Sequence, residues 1–199
     1  MLAALMLVVT GSATAAPATH DTEIRLNVLP AIAWAPGLTK GRLSVDLPEL
    51  RNAGQVANVT SDGWHISSTW PDGYDILVSA TSDPAMKGRN ATDGSGVPSS
   101  FRDYTIGGCP CPWNIGSFSQ GVFGYSASGS NGLINTTTWG SSSSRKWRGL
   151  TKGKYKIGST GGVGEFDMDL HFRTAIPEDG TQEAGSYRAS VILSISATL

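Results

Sequence analysis

The chain has 199 residues, 25 of them glycine, with 16% charged side chains and a formal net charge of −1. That length allows one domain with a sizeable core, and a near-neutral balance argues against general binding to nucleic acid. The Gly, Ser and Thr content with so few charges points to a secreted β protein.

Met1 to Ala15 carries no charged side chain, and Leu2 to Val9 is an apolar run too short to span a bilayer. Ala13-Thr14-Ala15 has the small-x-small form accepted by signal peptidase, so 1–15 is read as a signal peptide cleaved before Ala16. The rest, 16–199, is read as a single domain, with no membrane span after the signal.

Thr22 to Leu29 alternates Ile24, Leu26 and Val28 with Glu23, Arg25 and Asn27, as a strand with one buried face does. Arg42 to Leu47 repeats the pattern, and Gln55 to Thr60 is a weaker strand. Trp64 to Trp70 and Tyr74 to Thr81 are strands flanking Pro71-Asp72-Gly73, a turn signal that predicts a hairpin between them. From Ser82 to Gly108 the periodicity fades into a long surface excursion, with a short strand at Phe101 to Ile106.

Val122 to Ser128 alternates again, with Phe123, Tyr125 and Ala127 on one face. Gly129 to Ser144 is polar and loop-like apart from Trp139. Glu165 to Phe172 separates Glu165, Asp167, Asp169 and His171 from Phe166, Met168, Leu170 and Phe172. The last stretch is the strongest: Tyr187, Ala189, Val191, Leu193, Ile195 and Ala197 fall on one side, and Arg188, Ser190, Ser194, Ser196 and Thr198 on the other. So long a half-apolar strand must find partners, which predicts a central place in its sheet. With no long helical period, no repeat and no linker, the prediction is all-β: one antiparallel β-sandwich of immunoglobulin-like type with a long mid-chain insertion.

Three places resemble bacterial WxL-type surface domains: Gly63-Trp64-His65-Ile66, Trp147-Arg148-Gly149-Leu150, and Ile176-Pro177 followed by Ala184-Gly185-Ser186-Tyr187 and an alternating strand. The family's second Trp-x-Leu motif would fall at Leu193-Ser194-Ile195, where its Trp is missing. The resemblance implies a secreted or cell-surface, non-catalytic β-sandwich held to the cell wall non-covalently.

The candidate chemistry is dispersed. Arg145, Lys146, Arg148, Lys152, Lys154 and Lys156 form a basic run without an intervening acid, and Trp147 and Tyr155 stand between the cations as stacking faces. With Trp113 and Trp139, in Gly- and Ser-rich segments, they make a candidate surface for a cell-wall polymer or surface glycan. Glu165, Asp167 and Asp169 are weak calcium candidates, because i and i+2 side chains on a strand lie about 7 Å apart. No other cofactor is expected.

Cys109-Pro110-Cys111 is a disulfide candidate across one residue, with bonding to another chain, or free thiols or a metal, as the alternatives. No G-x-S-x-G elbow or zinc spacing supports an enzyme. Three functions therefore compete: a wall- or glycan-binding module, a filament or adhesin subunit that self-associates by strand pairing, and a secreted carbohydrate-active enzyme.

Overall fold

A computed structural model describes residues 19–26, 43–46, 50, 52–61, 63–68, 71–88, 100–105, 109–183 and 185–197. The expected signal peptide, Trp70 and the run 89–99 lie outside them. The elements in chain order are β1 (Thr19–Leu26), β2 (Leu43–Asp46), β3 (Val56–Thr60), β4 (Trp64–Ser68), β5 (Tyr74–Ala80), β6 (Met86–Gly88), β7 (Arg102–Asp103), β8 (Cys111–Pro112) and β9 (Val122–Gly129). There follow α1 (Thr136–Trp139), β10 (Lys146–Trp147), β11 (Tyr155–Ser159), β12 (Gly164–Ala175) and β13 (Tyr187–Ala197). The protein is mainly β, its strands joined chiefly in antiparallel sheets, one of which curls into a half-barrel.

The first sheet has the order β11-β5-β13-β1-β2, with β6 also against β13. As its alternation predicts, β13 is central: Val191 to Ala197 pairs with β5, Tyr187 to Ala189 with β6, and the opposite edge with β1. The second sheet runs β3-β12-β9-β7, with β4 beside the first half of β12. β3 and β4 are nearly one strand, interrupted where Ser61 enters. There the Ser61 amide donates to the Leu170 carbonyl at 2.8 Å, and its hydroxyl accepts from the Leu170 amide at 3.0 Å, so the ladder is satisfied across the break.

The expected hairpin between β4 and β5 does not form. β4 pairs with β12 in the second sheet, whereas β5 lies between β11 and β13 in the first. A Pro-Asp-Gly turn specifies a local change of direction, not which strand receives the hydrogen bonds. Here the segment carries the chain from one sheet to the other.

Alternate residues of both sheets meet in one core: Ile76, Val78, Ala189, Val191 and Leu193 from the first, and Phe123, Ala127, Phe166, Leu170 and Phe172 from the second. Each of the Val, Leu, Ile and Phe side chains contributes about 1.5–3 kcal/mol when fully buried. Phe101 and Tyr187 meet edge to face at 4.8 Å, and Phe123 stacks on Phe172 at 6.2 Å. The stretch expected as a surface excursion therefore supplies core: Ala85, Met86, Phe101 and Tyr104 are all buried. Its strands are two or three residues long, too short to display a period.

β9 is buried on both faces from Val122 to Ala127. Its outer side is covered by a second cluster of Tyr104, Phe118, Val122 and Trp147, with Trp113 and Ile115 packed against it. Gly124 makes this possible, since a Cβ there would lie 3.0 Å from both the Trp113 ring and Tyr104. The Tyr104 hydroxyl accepts from the Asn114 amide at 2.9 Å and donates to the Pro112 carbonyl, tying the covering loop to the sheet.

Cys109 and Cys111 are bonded to each other in that loop, which excludes a bond to a second chain for these sulfurs. So short a ring removes little entropy from the unfolded chain. Replacing both with Ser is expected to lower the melting temperature by no more than a few degrees, read by circular dichroism.

Candidate functional site

The basic run is divided among separate surroundings. α1 begins where the Asn135 side chain accepts from the Thr137 amide at 2.8 Å and the Thr138 amide at 3.2 Å, an N-cap that turns the chain inward. Lys146 Nζ donates to the Thr137 carbonyl at 2.8 Å, near the helix end where a cation is favoured. Arg148 lies 3.8 Å over the Tyr155 ring and donates to the Cys109 carbonyl. Lys156 pairs with Asp75 at 2.5 Å. Lys152 and Lys154 are exposed and make no ion pair among the described residues. Arg145, half-buried, lies near Asp169.

Two of the expected stacking faces are not at the surface. Trp139 is 1% exposed, donates from Nε1 to the Ile157 carbonyl at 3.2 Å, and packs against Tyr125 and Tyr155. Trp147 is 3% exposed within the second cluster. Both indoles belong to core: a short, capped turn can fold a large aromatic inward however polar its neighbours are. Trp113 is half-buried and stacks on Tyr104 at 4.5 Å. Of the aromatic residues in the basic run, Tyr155 is the half-exposed one.

Tyr155 and Lys156 line an open cleft of about 520 Å³ between α1 and β11, with Leu133, Asn135, Thr138, Trp139 and Ser159. Gly158 shapes its wall. The Leu133 carbonyl comes so near that a Cβ at Gly158 would stand 2.4 Å from it, and Ser159 donates its amide to the same carbonyl at 3.0 Å. The cleft combines part of an aromatic ring, hydroxyl and amide groups and one ammonium. β11 is the last strand of its sheet, so the cleft opens at a sheet edge.

The acidic face of β12 does not assemble the expected calcium set. His65 on β4 binds Glu165 through Nε2 at 2.7 Å and Asp167 through Nδ1 at 2.9 Å, while Asp169 lies by Arg145. Among the described residues no three His, Cys, Asp or Glu side chains are placed to hold one metal ion. His65 bridges the first two carboxylates, and Asp169 stands further along the strand in the field of Arg145.

The Asp167 hydrogen bond is the main cause that raises the His65 pKa above 6.5, with Glu165 adding to it. A raised histidine contributes stability below its unfolded pKa and loses it as pH rises through the folded one. Histidine NMR titration is expected to place His65 above 6.5 and to return it towards that value in Asp167→Asn.

His171, on the same face, is buried. Its Nδ1 lies 2.9 Å from Thr60 Oγ1 and its Nε2 2.7 Å from Ser128 Oγ. Burial, and then Arg145, push its pKa down to about 4, so the ring is neutral at physiological pH.

The sequence puts His171 on the polar face of its strand and marks neither Arg173 nor Ser128 as a site residue. The one sign available was their parity on strands whose pairing was unknown. Compared with protein-family models, curated proteins and solved structures, the chain matches none.

Proposed function

We propose that this chain is a non-catalytic secreted or cell-surface protein that binds a cell-wall polymer or surface glycan in the cleft between α1 and β11. We read the two large sheets closing on a common core as a WxL-like β-sandwich. The observation that carries the binding reading is the cleft itself. Half-exposed Tyr155 offers a stacking face, Asn135, Thr138 and Ser159 offer polar groups for sugar hydroxyls, and Lys156 adds a charge. Lys152 and Lys154 extend that charge along the approach to β11. In this reading the lysines steer anionic polymer and the cleft holds one or two units of it.

Sedimentation with purified cell walls tests this. Wild type is expected to co-sediment at low salt and progressively less as salt rises, since exposed charges are screened beyond about 8 Å at physiological ionic strength. The triple change of Lys152, Lys154 and Lys156 to Gln should weaken binding, and Thr138→Phe, which fills the cleft without adding charge, should weaken it at every salt concentration. Equal sedimentation by all three proteins would overturn the reading.

Assembly by strand pairing is a second reading, favoured by the place of β3 and β4 at the end of their sheet and by Val56, 47% exposed on β3. It requires concentration-dependent fibres by electron microscopy that disappear in Val56→Lys.

A further inference from the structure

Outside the cleft, the outer face of the second sheet brings together two guanidiniums that lack carboxylate partners. Arg145, entering β10, and Arg173, on β12, are both half-buried, and neither makes an ion pair within 4 Å among the described residues. Arg173 donates from Nε to Asn58 Oδ1 and lies 4.2 Å over Trp147 and 5.4 Å from the Trp113 ring. Arg145 stands two residues before Trp147, the ring that Arg173 covers, in the segment that the Tyr125–Arg148 bridge lays along β9, and burial with the Arg145 charge lowers the Arg173 pKa. Asp169 is the acid whose field reaches Arg145, leaving two cations against one anion on a partly desolvated surface.

His171 stands between Asp169 and Arg173 on the same face of β12. A neutral imidazole carries one N–H and one lone pair. One of its two hydroxyl partners, Thr60 or Ser128, therefore donates to the ring, and the other accepts from it. The accepting hydroxyl keeps its own O–H free to donate outward. The surface thus presents several donors beside the Asp169 carboxylate.

We infer that the face between Arg145 and Arg173 is a binding site for an oxyanion, such as a carboxylate, sulfate or phosphate group of a polymeric ligand. Arg145 supplies an unengaged planar fork suited to two oxygens, Arg173 a second positive charge held in place by Asn58 and the indoles, and Thr60 or Ser128 a hydroxyl. The bound anion offsets the repulsion between the guanidiniums. The site does not depend on the cleft, and its residues differ from those tested there.

The experiment is NMR titration of the ¹⁵N-labelled protein with inorganic phosphate, sulfate or glucuronate at constant ionic strength, following the Trp113 and Trp147 indole N–H and the arginine Nε–H signals. Saturable shifts are expected with at least one probe. Preference for glucuronate would assign the group to a uronic-acid polymer, and preference for phosphate to a phosphodiester polymer. Arg145→Gln should weaken the affinity about tenfold or more, the loss of a charge-assisted pair of hydrogen bonds. Arg145→Lys, which keeps the charge but not the fork, should lose less. Lys152→Gln with Lys154→Gln should leave the titration unchanged while weakening wall sedimentation. No saturable shift with any probe, or an affinity unaltered in Arg145→Gln, would overturn the assignment.

Discussion

Leu193→Asp is expected to remove a large part of the folding stability near neutral pH. Leu193 is 2% exposed in the central strand of the first sheet, directly opposite Val78 on β5. A carboxylate there would be buried in a core of aliphatic and aromatic side chains, and stranding it costs about 4 kcal/mol or more. Whole domains are stable by only about 5–15 kcal/mol, so a large part of the margin disappears. Urea denaturation followed by tryptophan fluorescence reads the effect, and a wild-type midpoint would show that the strand is peripheral. Deleting 190–199 should be at least as damaging, because β5 and β1 would both lose the strand between them.

The second large effect is a dependence of stability on pH set by Asp103. Its side chain is buried at the start of the second cluster, and both its oxygens lie near the Ala85 amide, at 3.2 and 3.3 Å. Burial, with the neighbouring Asp83 carboxyl adding to it, raises its pKa from 3.8 to about 7. Between those values the folded state holds a proton that the unfolded chain has released. The Asp103 contribution therefore falls as pH climbs from about 4 to about 7 and its cost is fully present above that, while His171, held neutral down to about 4, contributes the opposite slope up to about 6.5. The full shift corresponds to roughly 4 kcal/mol at most. Asp103→Asn keeps an acceptor for Ala85 without the charge, so it should remove the falling component, leave the rising slope of His171 below about pH 6.5, and raise the melting temperature at pH 8. A mutant profile that keeps the wild-type slope between pH 4 and 7 would assign the dependence to other groups.

The candidate sites were only partly legible. Tyr155 and Lys156 stood out because a basic run with aromatic residues is a local pattern, and they line the cleft. Trp139 and Trp147 belonged to the same pattern, yet both are core. Whether an indole in a Gly- and Ser-rich loop points inward depends on a cap such as Asn135 and on the space beneath, neither of which is encoded by flanking composition. The pairing of Arg145 with Arg173 had no signature, since 28 positions separate them and an unpredicted strand pairing brings them to one face.

By itself the sequence determined the longer strands and the side of each that faces the core. Alternation is a property of consecutive residues, so β5, β9, β12 and β13 and their core sides could be read directly, and the length and polarity of the last strand required partners on both edges. Only the tertiary structure decided which strands pair. Backbone amides and carbonyls are the same in every residue, and a strand's pattern states which face is buried without naming the strand beside it. The transfer of the chain from β4 to β5 between sheets, the Ser61 break that lets β3 and β4 share β12, and the loop folded over Gly124 all follow from that non-local choice. The donor-rich face around His171 exists only because that choice sets β3, β12 and β9 side by side.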